Sequence, residues 1–63
     1  MTRIEKAVRE RDMPTLNEIV DYMRFQMGMN YKKTLHFFMK HSEINDEREF
    51  EELMYELDNW RPL

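Results

Sequence analysis

Cysteine is absent from the chain, so no disulfide can staple it and no thiolate can ligate a metal. The single glycine, Gly28, rules out a glycine-rich loop that could cradle phosphates. The two prolines, Pro14 and Pro62, leave no proline-rich linker. No stretch approaches the roughly 18 apolar residues of a membrane span. The N-terminus carries no apolar run resembling a signal peptide. These absences point to a soluble, cytoplasmic protein without membrane contact, organised as a single helical domain over residues 1–63. Acids are missing too, over one interval: none occurs from Tyr22 to Ser42, where Arg24, Lys32, Lys33 and Lys40 leave four positive charges. From Glu43 to Asp58, by contrast, eight carboxylates face only Arg48. Two halves of such opposite sign attract each other, or each attracts its own partner.

What the chain does hold is a large apolar load, eight aromatic residues and seven methionines among 63. A chain of this size removes only roughly 60% of its unfolded surface from water on folding. With disulfides and thiolate metal sites excluded, self-association is the remaining way to cover these groups, and a homo-oligomer is expected.

Apolar spacing is helical throughout, with no alternation at period two. Thr2 and Glu5 form a capping-box pattern, and Ile4, Ala7 and Val8 follow at i, i+3 and i+4, predicting a short first helix to about Arg11. Met13 precedes Pro14 and is expected to leave the helical region, breaking the chain there. Thr15 and Glu18 repeat the capping box, and Leu16, Ile19, Val20, Met23 and Met27 line one face of a second helix, which Gly28 ends in a left-handed conformation. Asn30 caps a third helix with apolar positions Tyr31, Thr34, Leu35, Phe38 and Met39. After a turn over 42–46, Asn45 or Asp46 caps a fourth, whose stripe is Phe50, Leu53, Met54 and Leu57, with Trp60 extending it before Pro62 stops the chain. The fold class expected is all-α: a small bundle of three strong helices and a short leading N-terminal helix, assembled as a dimer.

Within residues 20–39, the run Gln26-Met27-Gly28-Met29-Asn30 resembles the turn of the helix-turn-helix motif: glycine, an apolar residue, then a small polar residue capping the second helix. Met23 and Phe37 fall where that family packs apolar residues. Arg24 takes the slot where it prefers alanine, and Thr34 one where it prefers a branched aliphatic. The resemblance implies that Asn30, Tyr31, Lys32, Lys33 and His36 face DNA, with Lys40 and Arg24 reaching phosphates. The alternative is an ordinary helical hairpin whose lysines are merely solvated.

The acid run is a solvated helix face, a dock for a basic partner, or a surface imitating the phosphates of nucleic acid. Pairs such as Glu47 with Glu51 and Glu52 with Glu56 repel one another. The nearest relief is the Lys32, Lys33 and Lys40 face, from the same chain or from a second copy. Catalysis has little support: Ser42 and His41 are adjacent in sequence, which does not aim one at the other. His36 and His41 are five apart rather than at chelating i, i+4 spacing, so neither a metal nor another cofactor is expected. Tyr22, Phe25, Met29, Phe37 and Met39 lie off the main stripes and suggest either a second apolar surface or a core that wraps around. Trp60 is a docking anchor in the terminal tail or folds back onto the core.

The function expected on these grounds is a non-catalytic regulatory or inhibitory module that binds a partner protein and self-associates, with Phe25, Phe37, Met39, Glu47, Glu51 and Trp60 as contacts. The runner-up is a small helix-turn-helix transcriptional regulator that binds DNA.

Overall fold

The computed structural model describes residues 2–60. Among them every regular element is helical: α1 (Arg3–Glu10), α2 (Met13–Asp21) running into a π segment (Tyr22–Gln26), α3 (Tyr31–His41) and α4 (Glu47–Asn59). The all-helical class and the short leading helix are as the apolar spacing predicts.

Most helix ends follow from local hydrogen bonding. The side chains of Thr2, Asn30 and Asp46 each accept from the N–H three residues on, at Glu5, Lys33 and Glu49. Each thereby satisfies one donor that a first turn leaves open. The cap of α2 departs from expectation. Asp12, not Thr15, holds the N-cap: its carboxylate accepts from the Thr15 N–H at 3.4 Å and from the Thr15 hydroxyl at 2.7 Å. Met13 and Pro14 are consequently the first two helical residues rather than the break. Proline is tolerated there because the N–H it lacks has no intrahelical acceptor in a first turn. The chain turns instead at Arg11, which is left-handed at φ 51°, while Asp12 N–H closes onto the Ala7 carbonyl at 3.0 Å. That pairing is a Schellman closure with arginine where glycine is usual.

The second helix does not stay α. Met27 N–H reaches the Tyr22 carbonyl at 3.1 Å, five residues back, and Met29 N–H reaches Met23 at 2.9 Å, with Gly28 left-handed at φ 66°. A π turn holds more residues than an α turn, so four steps from Met23 no longer complete a revolution. Met27 therefore swings off the stripe to which α-helical spacing assigns it, and it is exposed.

Leu16, Phe38, Phe50 and Leu53 are the fully enclosed centre, with the Phe38 and Phe50 rings 5.5 Å apart. Ile4, Ala7 and Val8 seal it from α1; Val20 and Met23 come from the second helix, Leu35 from α3 and Leu57 from α4. Ile44, in the turn between α3 and α4, is also buried, although no periodicity marks it. Tyr31 and Met39, expected on the inner stripe of α3, are largely exposed; Tyr31 still sets its ring edge-on to Phe50, 5.4 Å away. Helix α1 lies against α2 and α3, and α4 lies against the same two helices. Helices α2 and α3 are thus bridged by α1 and by α4, and all four surround one core. Trp60 caps α4 and is half-buried; the expected stop at Pro62 lies outside the described residues.

Candidate functional site

Among the described residues no buried side-chain nitrogen or oxygen lacks a hydrogen-bond partner, so nothing polar is held unspent inside. Ser42 Oγ donates to the Phe38 carbonyl and accepts from Ile44 N–H, which fixes the turn. The His41 ring packs on Phe37 at 4.5 Å rather than toward Ser42. Among the described residues no three His, Asp or Glu side chains gather as a metal-binding group. No helix among them is long and apolar enough to cross a membrane.

The surface is more informative. Helix α1 has eight residues, and its N-terminal end lies level with the middle of α2, where Arg3 pairs with Glu18 at 2.8 Å and the Thr2 hydroxyl donates to the His41 carbonyl. Beyond that point α2 and α3 continue without α1 between them, leaving an open groove of about 560 Å³. Ile19, Tyr22, Met23 and Met27 form one wall, Phe37 and His41 the other, and Ile4 closes the end. The walls are mostly apolar, and the volume falls within the roughly 300–1,000 Å³ usual for binding sites. A separate hollow is lined by Val20 and Arg24 of the second helix, Met29 and Asn30 of the turn, Tyr31 of α3, and Phe50 and Met54 of α4.

The expected partner contacts do not form one surface. Phe37 lines the groove, half-buried. Phe25 stands exposed on the outer side of the π segment, with the Arg24 guanidinium 5.9 Å from its ring. Met39 is exposed on the flank of α3 away from Phe37. Glu47 and Glu51 belong to α4, where the Tyr31 hydroxyl donates to Glu51. Trp60 sits beside Asn17, Val20 and Arg24 at the far end of α2. The sequence marked Tyr22 as off the stripe, but it gave no sign that Ile4, Ile19, Met23 and Met27 would meet it in one groove. Only the shortness of α1 and the π turn produce that.

The expected DNA contacts divide as well. Lys32, Lys33, His36 and Lys40 share the exposed outer face of α3. Asn30 is spent as a cap, Tyr31 turns to α4, and Arg24 lies in the α4-side hollow. The two helices of the resemblance are not among the closely packed pairs, which join each of them to α1 and α4. Compared with family models, with curated proteins and with solved structures, the chain has no match in any of the three.

Electrostatics leave the two charged faces apart. Among the described residues Lys32, Lys33 and Lys40 form no ion pair, so the relief expected for the acid run within one chain is not made. Ion pairs among the described residues include Arg3 with Glu18, Arg9 with Glu43, and Arg48 with Glu52 at 3.6 Å. The hydrogen bond from Arg9 holds the Glu43 carboxyl below its ordinary value. Partial burial, then the charges of Glu47 and Glu51, push the Tyr31 phenol up.

Proposed function

We propose that this protein is a non-catalytic helical module that binds a partner protein and self-associates, in a regulatory or inhibitory role. The observation that carries this reading is the group of large apolar side chains left in solvent along the π segment, two of them lining the groove: Tyr22 is 60% exposed and Met27 51%, and Phe25, on the outer side, 74%. All lie within or beside the π segment, and π turns recur at functional positions because each interrupts the regular ladder at a cost in hydrogen-bond geometry. Aromatic and methionine side chains supply contact area and adapt to a partner's shape. A stability role cannot account for groups that touch so little of their own chain.

The test replaces Tyr22 and Phe25 together by serine. Helicity and melting should stay near wild type, because neither side chain is in the core, whereas a partner captured from source cells and any concentration-dependent increase in sedimentation should both be lost. Retention of both by a well-folded double variant refutes the reading.

A second reading, DNA binding through α3, is favoured by one observation: Lys32, Lys33, His36 and Lys40 are exposed together and the lysines are unpaired among the described residues. A gel shift on random duplex DNA at low salt, abolished by Lys32→Glu with Lys33→Glu, would establish it, since phosphate contacts are steeply salt-dependent.

A further inference from the structure

We propose that the groove between the π segment and α3 receives an amphipathic helix of a partner protein whose apolar stripe is flanked by carboxylates. This rests on the protein-binding reading above and specifies the partner's chemistry.

Three observations converge. The first is shape. From Glu18, beside the first residue of α1, α2 and its π extension run on for nine residues to Met27, about 13 Å at about 1.5 Å per residue, and α3 runs alongside. The open track continues the line of α1 and holds roughly two turns of helix, enough for apolar anchors at i, i+3 or i+4, and i+7.

The second is charge. Lys33 lies one turn before Phe37 on α3, and Lys40 three residues after it, so both border the Phe37 wall on its solvent side. Of the acids, Glu18 alone lines the groove, and it is committed to Arg3. The α3 edge, outside the lining itself, is therefore positive, and among the described residues its lysines pair with no carboxylate.

The third is that the fold already solves the same problem once. Helix α4 presents Phe50, Leu53, Met54 and Leu57, bordered by Glu47, Glu51 and Glu56, and it packs that apolar stripe against both α2 and α3. Helices α2 and α3 thus hold one acid-flanked amphipathic helix between them and leave a second berth open, next to lysines that pair with no acid of α4.

The test uses the full chain and two synthetic 18-residue helical peptides with the same leucine stripe, one flanked by glutamates and one by lysines, read by fluorescence anisotropy. The glutamate peptide should bind more tightly, roughly tenfold, and the margin should shrink at high salt. Lys33→Glu with Lys40→Glu should invert the preference. Met27→Ser, at an exposed wall position that leaves the core intact, should weaken either peptide severalfold, and amide shifts should cluster at Ile19–Met27 and Phe37. Equal binding of both peptides, lost in Met27→Ser, overturns the acidic occupant while sparing the protein-binding reading. Shifts confined to α4 overturn the site. If Met27→Ser abolishes self-association instead and neither peptide competes, the groove belongs to a second copy and the proposal fails.

Discussion

Two residues adopt the same left-handed backbone at the ends of successive helices, and they should respond to substitution with opposite signs. Gly28 has φ 66°, and a β-carbon built on it meets nothing within 4 Å. Gly28→Ala therefore tests backbone conformation alone, with no clash to confuse the result. The left-handed region costs an L-residue about 1–2 kcal/mol, partly offset by about 0.4–1 kcal/mol because alanine leaves the unfolded chain less freedom. A net loss of about 1 kcal/mol results, which in a domain of this size lowers Tm by about 4–8 °C. Gly28→D-Ala, accessible by chemical synthesis, keeps the entropic term and removes the strain, so it should raise Tm by a few degrees. Arg11, at φ 51°, already bears the strain that glycine avoids. Arg11→Gly should accordingly stabilise, by about 0.5–1 kcal/mol. Thermal and urea unfolding followed at 222 nm reads all three, and the urea slopes should be unchanged. If Gly28→Ala is neutral, or if D-alanine is as harmful as L-alanine, the left-handed closure is not what fixes the turn between α2 and α3.

Other outcomes follow from the core, the caps and the charges. Phe38→Ala, at a fully enclosed position against Phe50, should cost about 3–5 kcal/mol and leave a chain this small largely unfolded by circular dichroism at 25 °C. Asp46→Ala removes the cap of α4 and should lower stability by about 1 kcal/mol in urea titrations. Glu43 has its carboxyl held below the ordinary 4.5 by Arg9, so the pair's contribution is complete above that value and disappears as pH falls through the lower, folded-state value. Wild type and Glu43→Gln should thus differ at neutral pH and converge in acid, and added salt should narrow the gap, since both partners are about half exposed.

Residues that satisfy a helix end through a side chain a few positions away could be read directly. Thr2, Asn30, Asp46 and the glycine at 28 did what their local chemistry requires. Reading failed where two local signals competed or where the backbone changed its repeat. Asp12 and Thr15 both suit an N-cap, and the choice went to the one that lets Pro14 sit in a first turn. The π turn has no counterpart in apolar spacing, which assumes an α repeat, so that spacing puts Met27 inside whereas it lies outside. Ile44 is buried in the turn before α4, in the common core and beside Val8 of α1 and Glu49 of α4, a fact that no single segment contains. Phe37 was legible as an off-stripe residue, but its groove was not, because the groove exists only where α1 falls short of its neighbours.

By itself the sequence determined the helical repeat, most helix ends and the division of charge into a basic middle and an acidic end, since each depends on contacts within a few residues. The tertiary structure decided which of those features meet. It put the lysines of α3 and the acids of α4 on faces that form no ion pair with each other. It left Tyr22 and Met27 in solvent beside an uncovered groove. The physical reason is that burial and ion pairing depend on where whole helices lie, and the length of α1 and the widened turn after α2 set those positions.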